Sequence, residues 1–329
     1  MANAKLADVA RAAGVSLTTV GRVLHGGYVS EDKRERVEKA VKELGYVPNK
    51  MAQSLKMRES RMIGNLMRFN PNLLYEQISK GIGRAAAEKG YGVYAVTDYD
   101  GNVENQIDEL IARKGDAVVI ISFSSIKADE IAKITAAGIP VVMVERTQNI
   151  PGVDRVVIND IGGAYDATTA LIKNGRTNIS FVGVKPIDKT VELERRQGYE
   201  NALTDAGIEI CDSYIRETES YGPESGYKAA KSIYESGARP DGFFCTSDLL
   251  ASGVMQYLYE KSISIPDEVA IVGYDDTISH MLAPKISSVG LDAEKIGDCV
   301  MDMILTRLKD KEMEPREARI DTVFVDRFN

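Results

Sequence analysis

A polar or aromatic residue stands at or just beyond each of a series of short apolar runs in this chain: Phe69, Asn72, Tyr75, Asp98, Phe123, Arg146, Arg195, Tyr221, Ser247, Asp248, Tyr274 and Asp275. If those runs are parallel strands, such residues gather at the carboxyl ends, where open α/β sheets bind ligands. Arg195 and Asp275 then offer donors and acceptors to hydroxyl groups, and a ring such as Tyr221 covers an apolar sugar face. A different chemistry is written near the N-terminus, in LADVARAAGVSLTTVGRVL from Leu6 to Leu24. There Arg22 is the candidate for reading a base edge, with Leu17 and Thr18 at the helix start making neighbouring contacts. Ser16, Thr19 and His25 complete the candidate nucleic-acid face.

Other motifs carry less. Gly81-Ile-Gly83-Arg-Ala-Ala86 fits GxGxxA, the dinucleotide fingerprint, which belongs between a strand end and a helix start. Here it lies inside the helical stretch Ile78–Ala87, where the amides that would cradle a pyrophosphate are taken up in helix bonds. No cofactor is expected. His25 and His280 are far apart with no nucleophile motif beside either, and no pair of carboxylates has a spacing that marks acid–base work. Cys211, Cys245 and Cys299 show no CxxC or Cys/His ligand spacing, so reduced thiols and no metal site are expected. The patterns favour a binding protein over an enzyme.

The elements that must position these residues begin with a small helical head. Leu6, Val9, Ala10 and Ala13 recur at helical spacing, and Gly14 stops that helix. Ser16 can accept from the free amides of the next helix, which turns Leu17, Val20, Val23 and Leu24 inward. Two short helices with a three-residue turn form a helix-turn-helix, whose second helix suits the major groove. Ser30 can cap a third helix with Val37, Val41 and Leu44 as its buried stripe, ended by Gly45 and Pro48. The segment NKMAQSLKMRESR that follows has Asn49 as a cap and Met51, Ala52 and Leu55 on one helical face. A helix this short is marginal in water and orders only when held; Lys50, Lys56 and Arg58 around it suit phosphates.

From Met62 the pattern changes. The β-rich runs MIGNLM, YGVYAVT, AVVIISF, PVVMVE and RVVI alternate with helical stretches at Tyr75–Lys89, Val103–Lys114 and Ala128–Ala137. A second set, NISFVGV, GFFCTS and VAIVGY, alternates with Gly163–Lys173, Leu193–Ala206, Ser225–Ser236 and Leu249–Lys261. Such alternation predicts parallel α/β architecture in two similar lobes. Helix Ala293–Lys309 is expected to return to the first lobe and a strand near Thr322–Val325 to the second. With 329 residues the chain exceeds one ordinary core. Its net charge of −8 hides a split, since residues 1–60 carry +4 and the remainder −12. A basic head on an acidic body confines phosphate attraction to one end. No signal-peptide core or membrane-length apolar run is present, which leads to the expectation of a cytoplasmic protein with no membrane partner.

Taken together, DVARAAGVSLTTVGRVL, then VS, then ELGYVPNKMAQSL, resemble the DNA-binding head and hinge of the lactose/galactose repressor (LacI/GalR) family of bacterial transcription regulators. The resemblance implies an all-α helix-turn-helix head over 1–48, a hinge helix over 49–60 and a periplasmic-binding-protein-like core over 61–329. Its first lobe would take about 61–158 and 290–319, and its second about 159–289 and 320–329. It implies that Asn49, Ala52 and Leu55 meet the minor groove, with Leu55 wedged between base pairs. Arg195, three before Gly198-Tyr199, matches the family's ligand-binding arginine, Asp275 in VGYDD its ligand-binding aspartate, and Tyr221 an aromatic platform. Three positions depart from the pattern: Gly21 where serine is usual, Phe69 where many members have aspartate, and Ser247 where many have asparagine. The implied protein is a homodimeric repressor on pseudo-palindromic double-stranded operator DNA. Its effector, a sugar or sugar derivative, would bind between the lobes and shift the hinge between helix and coil.

Overall fold

The computed structural model describes residues 4–24, 27–46, 59–68, 72–99, 103–121, 126–144, 150–186 and 191–328. The chain divides into two compact units, 1–60 and 61–329.

The first unit is built on α1 (Leu6–Ala13), α2 (Leu17–Leu24) and α3 (Glu31–Glu43). Gly14 ends α1 with a left-handed backbone, φ +63°, and the Ser16 hydroxyl accepts from the Thr19 amide at 3.2 Å. Val9, Ala10, Ala13, Val20, Val23, Val37 and Ala40 form the core. Leu17 and Leu44 do not join it, being 52% and 40% exposed. Helical side chains lean toward the N-terminus, so Leu17, first in its helix, leans past the end of the core. Leu44 follows the 13-residue α3, whereas α1 and α2 have eight residues each and are too short to cover it. Ala40 takes the buried place instead. Ser30 sits at the N-cap of α3 but its hydroxyl makes no capping bond. His25, Pro48, Asn49, Ala52 and Leu55 lie outside the described residues.

The second unit holds two six-stranded sheets. The first contains β1 (Met62–Arg68), β2 (Gly92–Asp98), β3 (Ala117–Ile121), β4 (Val141–Val144), β5 (Asp154–Ile158) and β11 (Glu317–Ile320), in the order β11-β5-β4-β3-β1-β2. The second contains β6 (Ile179–Val184), β7 (Ile215–Thr218), β8 (Gly242–Cys245), β9 (Ala270–Asp275), β10 (Ser287–Gly290) and β12 (Val323–Val325), in the order β12-β10-β9-β8-β6-β7. Every neighbouring pair is parallel except β10 with β12. Buried runs such as AVVII in β3 are the continuous apolar strands that a sheet covered on both faces requires.

The helices are α4 (Leu74–Glu88), α5 (Val103–Arg113), α6 (Ala128–Ala136), α7 (Asp160–Lys173), α8 (Val191–Asp205), α9 (Pro223–Glu235), α10 (Asp248–Glu260) and α11 (Ala293–Lys309). Glycines set the closest crossings. A Cβ on Gly81 would lie 2.0 Å from the Ala293 carbonyl oxygen, and one on Gly198 2.3 Å from that of Ile161. Gly81 is therefore bare so that α4 can press on α11, which accounts for the glycine that mimicked a dinucleotide motif.

The chain passes between the sheets after β5, after β10 and after β11. Gly290, assigned from sequence to the first lobe, pairs with Asp275 in the second sheet, and Ile320, assigned to the second, pairs with Ile158 in the first. Among the described residues no helix is long and apolar enough to cross a membrane.

Candidate ligand cleft and nucleic-acid interface

The carboxyl ends of the strands carry a buried polar cluster centred on Arg195. It arises because Gly198 lets α8 press onto α7, bringing Arg195 against Asp160, the first residue of α7. Arg195 Nε donates to Asp160 Oδ1 at 2.8 Å and Nη1 to the Thr246 carbonyl at 2.7 Å. Its guanidinium lies 3.8 Å from the centre of the Tyr274 ring, and Nη2 is 3.7 Å from Asp275 Oδ1. Burial opposes the charge on Arg195, but Asp160, Tyr274, Asp275 and Glu192 outweigh it and keep the group protonated.

Asp275 ends β9 and connects the two lobes. Its Oδ2 accepts from Asn72 Nδ2 at 2.6 Å, and Asn72 is fixed in turn by the Leu74 amide on its Oδ1 at 3.0 Å. Burial pushes the Asp275 carboxyl up to about 7, against the pull of Arg195 and the Asn72 bond. Asp275 and Asp276 both hold left-handed backbone, φ +87° and +48°. Such non-glycine conformations cost about 1–3 kcal/mol each and collect at functional sites.

A second branch runs through Glu192, one turn before Arg195 on α8. Glu192 Oε2 accepts from the Val184 amide and the Thr246 hydroxyl, both at 3.0 Å, and Oε1 accepts from the Tyr221 hydroxyl. Tyr221 is thus held by its hydroxyl as well as its ring. Burial raises Glu192 above the ordinary carboxylate range despite Arg195 and these donors. Among the described residues the cluster sets three buried carboxyl groups, Asp160, Glu192 and Asp275, around one guanidinium. Such a site has acceptors to offer and repels added negative charge.

The expected residues fall into groups. Arg195, Asp275, Tyr221, Tyr274 and Asn72 come together in or against this cluster. Asp98 is fully buried at the end of the edge strand β2, and Tyr75 is half-buried on the first turn of α4. The Ser247 hydroxyl accepts from the Leu250 amide as the N-cap of α10, and Asp248 accepts three backbone amides from 277–279. Phe69, Phe123 and Arg146 lie outside the described residues. Sequence reasoning missed Asp160, Glu192 and Thr246. Asp160 lies just past the strand RVVI and obeys the same strand-end rule, and Glu192 is the acid three residues before Arg195.

In the head, Thr18 and Arg22 are exposed on α2 and Thr19 is half-buried. Ser16 is exposed, and its hydroxyl lies 2.9 Å from that of Thr19. Leu17 faces solvent, which frees it for a partner. Gly21 has nothing within 4 Å of where a Cβ would stand, so the head tolerates a side chain there. Tyr28, 95% exposed in the loop after α2, has no periodic signature to reveal it.

Comparison with known proteins places both units. Residues 60–328 match the family model for periplasmic binding proteins and the sugar binding domain of the LacI family, and residues 5–49 match that for bacterial regulatory proteins, lacI family. The chain is 28% identical over 328 residues to the ribose operon repressor of Escherichia coli (strain K12), covering 98% of this chain and 99% of the relative. It is 32% identical over 330 residues to the HTH-type transcriptional repressor PurR of Vibrio atlanticus (strain LGP32), covering 98% of each. Among solved structures, the transcriptional regulator CelR–cellobiose complex matches with a TM-score of 0.73 at 29% identity, covering 99% of each chain.

Proposed function

The chain belongs to the lacI family of bacterial regulatory proteins, DNA-binding transcription regulators under small-molecule control and not enzymes, and we propose how its own residues divide that work. The head over 1–48 reads operator DNA, the connector over 49–60 links it to the core, and the two lobes from 61 onward hold an effector. Arg22 reads a base edge, a bidentate contact to guanine being worth about 1–3 kcal/mol of discrimination. Ser16, Leu17, Thr18 and Thr19 make the neighbouring contacts, His25 stands at the end of the reading helix, and Asn49, Ala52 and Leu55 meet the minor groove. The protein acts as a cytoplasmic homodimeric repressor on a pseudo-palindromic site and carries out no reaction on its ligand.

The observation that carries the effector reading is the buried cluster in which Asn72 of one lobe meets Asp275 of the other beside Arg195. An uncharged polyhydroxyl ligand fits it best. Its hydroxyls donate to Asp275 and accept from Arg195, while a phosphate would meet three carboxyl groups. The ribose operon repressor and the cellobiose-bound regulator among the relatives support a carbohydrate, and a nucleobase is the alternative. Asp98, Tyr75, Phe69, Phe123, Arg146 and Ser247 are assigned as further effector contacts.

Two experiments test these assignments. Duplexes selected from a random pool by the full chain should bind the Arg22→Ala variant at least tenfold more weakly, with specificity relaxed at one base pair of each half-site. Equal, sequence-blind binding by both proteins would favour a ligand sensor that no longer reads DNA, a reading that rests on Gly21 alone. A thermal-shift screen against pentoses, disaccharides and purines should find a stabilising ligand whose effect is lost in Asp275→Asn.

A further inference from the structure

The turn that carries the ligand carboxylate stays in place only under restraint, because Asp275 and Asp276 are consecutive left-handed non-glycine residues. One restraint is internal. Asp248 Oδ2 accepts from the amides of Thr277, Ile278 and Ser279 at 2.7, 3.0 and 3.1 Å, and its Oδ1 accepts from the Ser288 hydroxyl at 2.7 Å. Gly273 is bare where this carboxylate lies, since a Cβ there would stand 2.3 Å from Asp248 Oδ1.

The other restraint comes from the C-terminal tail. Arg327 Nη1 donates to Asp276 Oδ1 at 2.8 Å, to Ser279 Oγ at 3.2 Å and to the Ile286 carbonyl at 3.2 Å. Its own amide donates to Ser287 Oγ at 2.8 Å. The edge strand does not need this side chain, because β12 is already paired to β10 through Val323, Phe324 and Val325. What the guanidinium joins is the turn after β9, from both ends.

We propose that Arg327 is a positioning residue for the ligand cleft: by fixing Asp276 it holds the neighbouring Asp275 carboxyl against Asn72 and Arg195. The C-terminal tail thereby sets the ligand affinity of a site formed by other elements. The proposal rests on the reading of Asp275 as a ligand contact.

The test follows the Asp275 carboxyl directly and needs no ligand. In the full chain its ¹³C carboxyl signal, identified by its loss in Asp275→Asn, is titrated in wild type and in Arg327→Met. Arg195, Asp248, Asp160 and Asn72 face this group and are unchanged in both proteins. Wild type should titrate near 7. In Arg327→Met the midpoint should fall by about one pH unit or more as the freed turn lets water reach the carboxyl. Arg327→Lys, which keeps a cation at Asp276, should fall by less. A wild-type midpoint in Arg327→Met, even with a lowered Tm, would reduce Arg327 to a structural brace and overturn the proposal. Should that variant fail to fold, Asp276→Asn must show the same downward movement, and an unmoved midpoint there overturns it equally. Failure of the cleft reading is a separate result, namely unchanged sugar binding in Asp275→Asn, and does not alter the titration.

Discussion

Both sheets of the core are wired in the same order, with the first strand one place in from one edge and the last strand closing the other, yet their closing strands run in opposite directions. In the first lobe β11 joins β5 in parallel, whereas in the second β12 joins β10 antiparallel. Each closing segment is tied down by an arginine, and the two arginines do different things. Arg307 on α11 makes a buried bidentate pair with Asp154 at the start of β5, at 2.8 and 3.1 Å, and its Nη2 donates to the Glu314 carbonyl at 3.3 Å. That clamp lies at the end of the sheet away from the cleft. Arg327 instead reaches the turn that carries Asp275. The antiparallel β12 starts opposite Gly290, level with Asp275, and runs toward the amino end of β10, so Arg327, whose amide lies at Ser287, returns to the turn through its long side chain. Similar lobes thus contribute unequally: the second supplies Glu192, Arg195, Thr246 and Asp275, and the first, among the described residues of the cluster, supplies Asn72.

The contrast can be broken at several points. Arg307→Ala leaves Asp154 buried without its partner and should destabilise the core by about 3–5 kcal/mol in urea unfolding, with ligand affinity little changed at a temperature where the core stays folded. A loss below about 1 kcal/mol would remove the clamp from the account. Gly81→Ala forces a methyl against the Ala293 carbonyl and should cost about 1–3 kcal/mol by overpacking the α4–α11 crossing of the first lobe.

Asp275 predicts a pH dependence with a definite sign. Its carboxyl titrates near 7 when folded, against an ordinary value of 3.8, so the folded chain holds the proton more tightly. This group's contribution to stability is therefore full below about 3.8 and is lost as pH rises through about 7. Unfolding free energies measured between pH 5 and 8 should decline less steeply in Asp275→Asn than in wild type, by about 2–3 kcal/mol over the window. Parallel profiles would contradict the burial assigned to this carboxyl. Because ligand hydroxyls donate to the ionised form, sugar affinity should rise with pH across the same range. The smallest effects are gains. Gly83 and Gly21 have open space where a Cβ would stand, and alanine at either should stabilise its helix by up to about 1 kcal/mol.

The head and the apolar strands were legible because their physics is periodic. Val20 and Val23 follow helical spacing, and AVVII cannot be covered except between two layers. The missing strands are those whose side chains serve something other than burial. Ser287 and Ser288 in β10 accept from Arg327 and donate to Asp248. IRET in β7 and EARI in β11 are polar edges, whose side chains add ties such as Arg155 to Glu317 and the Thr218 hydroxyl to the Gly183 carbonyl beside the backbone ladder. Arg195 and Asp275 could be found because they follow strand ends or match a family motif. Arg327 could not, since its partners at Asp276 and Ser279 are set by a turn whose left-handed backbone no pattern of residue types announces. Leu17 shows the reverse error, an apolar residue at helical spacing that lies one turn too early to be buried.

The central claim is that occupancy of the cleft at Asp275 controls the head's grip on DNA. Its most direct test is the affinity of the full chain for a selected operator duplex, by fluorescence anisotropy, with and without a saturating sugar found in the thermal-shift screen. Wild type should change its operator affinity by about 5- to 150-fold on adding the sugar, and Asp275→Asn should keep one affinity throughout. An unchanged operator affinity in wild type, with calorimetry showing the cleft filled, would contradict the account.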